Sequence, residues 1–256
     1  MEPVEGVLLD VDGVLTVSWR ALPGAAEAVS WLRERGMPFR LATNTTTMSR
    51  VALARRLGEA GIGVAVDDLV TAPAVAGEFL RRRHPGARVF QVGGRGARED
   101  LEGVRFVEED GDVVLVAGAD EDFTWDRLDR AFRMLLGGAA LVAMHRSMSW
   151  VTDRGPTLDS GAFVAGLELA AGVAATVTGK PSPDFFASCV AMLGVDAARV
   201  AMVGDDLEND VLAAQRCGLT GVLVRTGKFR QEVLDASEER PGVVVDSVAA
   251  LPEALS

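Results

Sequence analysis

Short apolar runs alternate along the chain with longer segments in which apolar residues recur at helical spacing. Near the N-terminus, residues 7–9 and 39–42 are typical of buried strands. Residues 25–35 and about 49–59 have the spacing of helices, and Gly36 is a stop signal for the first of them. Such alternation predicts an α/β fold, in which a parallel sheet is covered by helices on both faces.

The same alternation returns near the C-terminus, after a middle segment with signals of its own. The predicted late elements are strands at residues 175–177, 200–203 and 221–224 and helices at residues 183–193 and 211–216. In the middle segment they are strands at residues 88–92, 113–117 and 140–144 and helices at residues 124–136 and 160–170. Within the helix at 124–136, one face is predicted to be buried, and it carries Trp125, Leu128, Phe132 and Leu135.

We predict two domains from this organisation. Residues 1–73 and 177–256 would form a Rossmann-like core with a parallel sheet, and residues 74–176 would be a second α/β domain inserted into it. The alternative is one continuous large sheet that includes the strands of both segments.

The first predicted strand is followed by the tetrad Asp10-Val11-Asp12-Gly13. Two carboxylates this close repel one another and are costly to bury without a positive partner. A divalent cation with oxygen ligands is the simplest such partner. An Asp-Gly hairpin turn is the alternative reading, but it leaves Asp10 unexplained inside an apolar run.

Three further predicted strands also end in polar residues. The groups are Thr43-Asn44, Gly179-Lys180-Pro181, and Gly204-Asp205-Asp206 with Asp210 further on. Taken singly, each group could cap a helix or lie in solvent. Ligands of parallel sheets, however, bind outside the carboxyl ends of the strands. We therefore expect Asp10, Asp12, Thr43, Lys180, Asp205 and Asp210 to meet in one crevice suited to Mg²⁺ and a phosphate group.

Composition and competing motifs exclude several other classes of protein. A net charge of −11 argues against a nucleic-acid partner, and no apolar run approaches the roughly 20 residues of a membrane span. Two cysteines and an acidic N-terminus favour a reduced, cytoplasmic protein. Gly94-Arg95-Gly96 lacks the third glycine of a dinucleotide fingerprint, and Gly179-Lys180 lacks the rest of a nucleotide P-loop.

The four polar groups, in this order, resemble the four motifs of the haloacid dehalogenase-like (HAD) hydrolases. An insertion between the second and third motifs is similar to the cap of subfamily IIA, which includes p-nitrophenylphosphatase-like and phosphoglycolate phosphatase-like enzymes. The stretches Leu41-Ala42-Thr43-Asn44-Thr45-Thr46 and Gly161-Ala162-Phe163-Val164 also fit that subfamily. The resemblance implies a HAD core with an inserted α/β cap domain.

The resemblance also implies roles for individual residues. Asp10 would be the nucleophile, and Asp12 would be the general acid and base. Mg²⁺ would be held by Asp10, the Asp12 carbonyl and Asp205, with Asp206 and Asp210 in supporting positions. The phosphate group would be bound by Gly13, Thr43, Asn44 and Lys180. Because the dehalogenating branch lacks the aspartate equivalent to Asp12, phosphate-ester hydrolysis is favoured over cleavage of a carbon–halogen bond.

The expected function is Mg²⁺-dependent hydrolysis of a small-molecule phosphate monoester through an aspartyl-phosphate. In the cap, His145 and Arg146 are candidate substrate contacts, although both could equally be surface residues. The alternatives are a regulatory module that binds Mg²⁺ and phosphate without turnover, and a phosphotransferase. A homodimer supported by the helix at residues 124–136 is a further hypothesis.

Overall fold

The computed structural model describes residues 3–152 and 155–255. The strands are β1 (Gly6–Leu9), β2 (Thr16–Val17), β3 (Arg20–Ala21), β4 (Phe39–Thr43), β5 (Leu69–Thr71), β6 (Arg88–Val92), β7 (Arg105–Val107), β8 (Val113–Val116), β9 (Ala140–Ala143), β10 (Ser149–Thr152), β11 (Gly155–Leu158), β12 (Thr176–Val177), β13 (Val200–Gly204), β14 (Thr220–Val224) and β15 (Val243–Val245). The α-helices are α1 (Ala25–Glu34), α2 (Arg50–Glu59), α3 (Ala72–Arg83), α4 (Trp125–Leu136), α5 (Gly161–Ala171), α6 (Pro183–Leu193), α7 (Ala213–Arg216), α8 (Gln231–Ala236) and α9 (Leu251–Ala254). Shorter helical turns are the π-helical Leu207–Leu212 and the 3₁₀ turns Val66–Asp68, Arg98–Leu101, Ala197–Arg199 and Val248–Ala250.

Six parallel strands form the first sheet, in the order β15-β14-β13-β1-β4-β5. At its centre, β1 and β13 are buried along their whole length, as continuous apolar runs in a parallel sheet usually are. Leu9 pairs with Val203 on one side and with Leu41 on the other. This register brings the ends of β1, β13 and β4 to the same level of the sheet.

Helices cover both faces of this sheet. Leu32 of α1 and Leu53 of α2 belong to the apolar cluster on one face, and Phe185 and Cys189 of α6 belong to the cluster on the other. The fold class predicted from the alternating pattern is therefore confirmed.

A second parallel sheet has the order β12-β9-β8-β6-β7. Helix α3 packs on one of its faces, and α4 and α5 pack on the other. The alternative of one continuous sheet is wrong for the described residues, because the strands of the middle segment pair only with one another and with β12. The boundaries predicted at residues 73/74 and 176/177 stay predictions.

Two details of the sequence-based assignment are wrong. The interpretation that the strand at residues 175–177 ends at the edge of the core sheet is wrong, because β12 pairs with β9 of the second sheet. The prediction that Trp125 lies on the buried face of its helix is also wrong, because Trp125 is 77% exposed. It lies in the first turn of α4, whereas the buried residues Ala131 and Leu135 lie further along the helix.

The carboxyl ends of the two sheets face each other. Gly118, just after β8, donates its backbone N–H to Thr46 Oγ1 of the core at 3.0 Å. Gly96, in the loop after β6, lies so close to the Thr47 carbonyl that an added Cβ would be 2.0 Å from it. A pocket therefore forms between the ends of two sets of parallel strands, the part of an α/β sheet where ligands bind. No helix in the described part of the chain has the length and apolar character needed to cross a bilayer.

Candidate active site

Asp10 and Asp12 follow β1 and line this pocket. Asp10 Oδ1 accepts hydrogen bonds from the Val11 backbone N–H at 2.8 Å and from Lys180 Nζ at 2.7 Å. Asp12 Oδ2 instead accepts a hydrogen bond from the Thr45 hydroxyl at 3.0 Å. The two carboxylates therefore have different partners, one a cation and the other a neutral hydroxyl.

The pKa of Asp12 is higher than that of an ordinary aspartate. Burial is the largest cause, and it outweighs the opposing effects of the Thr45 hydroxyl and of the ammonium groups of Lys180 and Lys228. A raised pKa makes the protonated form of Asp12 more accessible, which suits a group that gives up a proton.

Lys180 is only 3% exposed and lies between two carboxylates. Its Nζ is 2.7 Å from Asp10 Oδ1 and 2.8 Å from Asp210 Oδ1. Burial opposes the charged form of Lys180, but these two carboxylates outweigh burial and raise the pKa of the ammonium. Lys180 is therefore a fixed positive charge beside Asp10.

The element that positions Lys180 in the site differs from the predicted one. Lys180 does not follow a strand of the core sheet, because β12 belongs to the second sheet. Asn44 positions it instead: the Asn44 amide accepts a hydrogen bond from the Lys180 backbone N–H and donates one to the Lys180 carbonyl, both at 2.9 Å. In the described structure Asn44 thus holds Lys180, whereas phosphate binding by Asn44 stays a prediction.

Among the residues that the structure describes, Asp10, Asp205 and Asp210 form the one group of side chains that could hold a metal ion. Each offers a carboxylate oxygen, and these oxygens lie within 4.8 Å of one another. Asp205 Oδ2 accepts the Lys228 backbone N–H at 2.7 Å, while its buried Oδ1 has no hydrogen-bond partner among the described residues. Clustered oxygens with one buried oxygen left over fit a hard cation such as Mg²⁺.

Proton affinities at this cluster reflect the crowding of negative charge. Burial, then the charges of Asp10 and Asp210, raise the pKa of Asp205 well above its usual range. Burial also raises the pKa of Asp210 to about 7, with the Lys180 ammonium acting in the opposite direction. A bound cation would favour the ionised forms of these carboxylates.

The Asp206 carboxylate is not part of the cluster of three and has other partners. Its oxygens accept hydrogen bonds from the Asn209 backbone at 3.0 Å and side chain at 2.9 Å, and Lys228 Nζ lies 3.3 Å away. The backbone N–H of Asp206 is 3.3 Å from Asp210 Oδ2. Asp206 therefore contacts the cluster through its backbone, and its predicted supporting role remains a prediction.

The backbone at position 13 lies so close to Asp205 that the position requires glycine. The φ of Gly13 is +87°, and an added Cβ would lie 1.8 Å from Asp205 Oδ2. Only glycine tolerates both that conformation and that contact. The second motif adds Thr43, whose hydroxyl accepts the Thr45 backbone N–H at 3.1 Å and is 2.9 Å from the Thr45 hydroxyl.

His145 and Arg146, the two candidate substrate contacts in the cap, have different surroundings in the structure. His145 lines the pocket, is 3% exposed, and accepts the Ser147 backbone N–H at its Nδ1, at 3.3 Å. Burial lowers the pKa of His145, so its neutral form predominates and the proton resides on Nε2. Arg146 is not among the residues that line the pocket and pairs with Glu168 of α5 at 2.5 Å, and a substrate contact by Arg146 stays a prediction.

Sequence reasoning missed several residues of the pocket. They include Thr45, Thr46, Asn209 and Lys228, as well as Trp19, Trp150 and Asp159. The rule used for the other strand ends would have found Lys228, because Arg225-Thr226-Gly227-Lys228 directly follows β14 at the same edge of the core sheet. Trp19 and Trp150 lie in or beside short hairpins that carry no clear sequence signal.

Comparisons with known proteins identify the family of this chain. The sequence model described as Haloacid dehalogenase-like hydrolase matches residues 7–107, and one described as HAD-hydrolase-like matches residues 177–251. The Bos taurus protein named Haloacid dehalogenase-like hydrolase domain-containing protein 2 is 33% identical over 244 residues, which cover 95% of this chain and 93% of that protein. The chain belongs to the haloacid dehalogenase-like hydrolases. The predicted family is therefore confirmed.

Further similarities of this HAD hydrolase are to proteins named as phosphatases. Phospholysine phosphohistidine inorganic pyrophosphate phosphatase of Rattus norvegicus is 35% identical over 259 residues, covering 98% of this chain and 94% of the relative. The crystal structure of 4-nitrophenylphosphatase from Thermotoga maritima superimposes with a TM-score of 0.91 at 30% identity, covering 99% of this chain and 98% of that one. The second similarity supports the predicted assignment to subfamily IIA.

Proposed function

We propose that this HAD hydrolase is a Mg²⁺-dependent phosphatase that hydrolyses a small-molecule phosphate monoester through an aspartyl-phosphate on Asp10. One observation carries the proposal. The Asp10 carboxylate is ion-paired with the Lys180 ammonium and clusters with the carboxylates of Asp205 and Asp210, and Asp12 lines the same pocket. A nucleophile, a proton donor and the charges needed to hold a phosphoryl group thus share one site.

The reaction divides into two displacements at phosphorus. In the first, a carboxylate oxygen of Asp10 forms a bond to phosphorus while the bond to the leaving oxygen breaks, and Asp12 gives that oxygen its proton. In the second, water attacks phosphorus and gives a proton to Asp12, and the bond to Asp10 breaks to release inorganic phosphate. The raised pKa of Asp12 and its hydrogen bond to Thr45 support this exchange of roles.

Charge on the transferring phosphoryl group needs positive partners. Lys180 supplies a permanent one, held in place by Asp10 and Asp210. Mg²⁺ would be held by Asp10, the Asp12 carbonyl and Asp205, with Asp210 beside them; when bound, it offsets the carboxylate charges and polarises the phosphoryl oxygens. Gly13 and Thr43 would contact the phosphoryl oxygens through the backbone and the hydroxyl, respectively.

Several observations support a small phosphate ester as substrate. The pocket lies between the carboxyl ends of two sheets, and cap residues such as His145 and Ser147 line it together with the carboxylates. Two of the similar proteins are named for 4-nitrophenyl phosphate and for phospholysine, phosphohistidine and inorganic pyrophosphate. A cytoplasmic location and a homodimer stay predictions, as does water as the acceptor of the phosphoryl group.

Substitution of the nucleophile tests this function. Release of phosphate from a panel of about a hundred phosphate esters, p-nitrophenyl phosphate included, would be measured with Mg²⁺ and with a chelator. We expect Mg²⁺-dependent turnover by the wild type and none by Asp10→Asn, because an amide oxygen is a poor nucleophile for phosphorus. Wild-type turnover in Asp10→Asn would exclude the nucleophile assignment. Absence of hydrolysis across the whole panel would favour a binding module without turnover.

A further inference from the structure

Lysine has an unusual distribution in this chain. Lys180 and Lys228 are its only lysines among 26 lysine and arginine residues, and both line the same pocket. Everywhere else the chain uses arginine for positive charge. Lysine carries a compact point charge on a flexible stem, and it is suited to contacts with single oxygen atoms. The proposed function gives a role to Lys180 alone and leaves Lys228 without one.

The backbone around Lys228 is fixed to the first motif. Thr226 Oγ1 donates a hydrogen bond to the Gly13 carbonyl at 2.5 Å, and the Lys228 N–H is bound to Asp205 Oδ2 at 2.7 Å. Gly227 has a φ of +60°, and an added Cβ there would lie 1.9 Å from the same Asp205 oxygen. The start of the Lys228 side chain is therefore held beside the carboxylate cluster.

The Lys228 ammonium is less engaged than that of Lys180. Among the described residues its ammonium pairs with Asp206, at 3.3 Å, and its side chain is 29% exposed. Lys180 has two carboxylates at 2.7 and 2.8 Å and is almost fully buried. An ammonium has three donors, so Lys228 keeps donors available for a ligand in the pocket.

The Lys228 side chain lines the same pocket as Asp12, the proposed proton donor to the leaving oxygen, and as His145 of the cap. Lys228 acts against the rise in the pKa of Asp12, and it contributes to the lowered pKa of His145. Its charge is therefore felt both by the proposed proton donor to the leaving oxygen and by a cap residue across the pocket. A group that departs from phosphorus towards Asp12 therefore remains in the pocket that Lys228 lines.

We propose that Lys228 binds the leaving group and favours substrates whose leaving group carries its own negative charge, of which a second phosphoryl group is the simplest. This inference rests on the proposed function. In a diphosphate, the Asp10 oxygen bonds to one phosphorus as the bridging P–O bond breaks. The departing phosphate takes the proton of Asp12 and is held by Lys228, and water then releases the second phosphate from Asp10.

The kinetic test compares a substrate with a charged leaving group and one without. Values of kcat/KM would be measured for inorganic pyrophosphate and p-nitrophenyl phosphate in the wild type, Lys228→Met and Lys228→Arg. Loss of a charged contact lowers kcat/KM for pyrophosphate by about tenfold more than for p-nitrophenyl phosphate in Lys228→Met. Lys228→Arg should recover part of the loss, because it restores the charge.

A matched control lies three residues earlier in the same loop. Arg225 pairs with Asp246 at 3.0 Å outside the pocket, and Arg225→Met removes the same charge from the chain. We expect it to leave the ratio of the two kcat/KM values unchanged. An equal loss for both substrates in Lys228→Met would show that Lys228 only balances the charge of Asp206, and the inference would be overturned.

Binding can be followed independently of turnover. In protein labelled with ¹⁵N only at lysine, Lys180 and Lys228 give the two side-chain signals, and Lys228→Met assigns them by loss of one. Methylenediphosphonate, a diphosphate that cannot be hydrolysed at its bridge, should shift the Lys228 signal more than inorganic phosphate does. An unmoved Lys228 signal, or a wild type that neither binds methylenediphosphonate nor cleaves pyrophosphate, would refute the inference. Failure of the proposed function would appear separately, as absence of p-nitrophenyl phosphate hydrolysis.

Discussion

Asp10 and Asp12 are the same residue type two positions apart, yet their surroundings assign them different chemistry. Asp10 is ion-paired with Lys180 at 2.7 Å, whereas Asp12 is held by the neutral hydroxyl of Thr45 at 3.0 Å. Burial raises the pKa of both, and Lys180 opposes the rise most directly at Asp10. Such a difference in environment is how two carboxylates come to act as an ionised nucleophile and a proton donor.

Removal of the Asp12 carboxyl tests this division of roles. Asp12→Ala should lower kcat for p-nitrophenyl phosphate by about 10²–10⁴, the usual range for loss of a general acid and base. The effect should be smaller with substrates whose leaving group is a weak base, because they need less help from a proton. Steady-state kinetics on aryl phosphates of graded leaving-group pKa would measure it. A decrease below tenfold with every substrate would contradict the assignment.

At the scale of elements, the cap contributes to the pocket through strand ends, as the core does. The end of β8 binds Thr46 through Gly118, and the end of β9 places His145 over the pocket. Arg50, at the start of α2, adds a second contact between the sheets through the carboxylate of Asp100 at 3.1 Å. The cap is thus fixed to the core close to the reacting groups, where it can exclude water.

Adjacent residues after β9 provide a matched pair for testing cap contacts. His145→Ala should change kcat/KM by about five- to tenfold for some esters of the panel and little for others, since it removes one hydrogen-bond donor from the pocket. Arg146→Ala should leave the profile unchanged, because Arg146 pairs with Glu168 outside the pocket. Values of kcat/KM for both variants on the same panel of esters would measure this difference. An unaltered profile in His145→Ala would remove His145 from substrate recognition.

At the scale of the whole molecule, the sequence was sufficient for the parts of the fold that depend on local pattern. The apolar runs of β1 and β13 and the polar residues after them predicted the sheet and the meeting of Asp10 with Asp205. The two-residue strand β12 has too little pattern to reveal its partner. The sequence therefore does not show that the strand before Lys180 belongs to the second sheet. The exposure of Trp125 likewise depends on where α4 packs along the sheet, which helical spacing does not specify.

We propose that carboxylates remote in sequence converge on one cation that supports phosphate release. The Mg²⁺ concentration needed for half-maximal release of phosphate from p-nitrophenyl phosphate measures this dependence. The wild type would be compared with Asp205→Asn and Asp206→Asn. Asp205 has a buried oxygen without a hydrogen-bond partner among the described residues, whereas the neighbouring Asp206 is bound to Asn209 and Lys228. We predict that Asp205→Asn needs at least about tenfold more Mg²⁺, or loses activity, and that Asp206→Asn changes the requirement far less. Release of phosphate that is independent of Mg²⁺, or an unchanged Mg²⁺ requirement in Asp205→Asn, would show that these carboxylates do not bind a cation needed for the reaction.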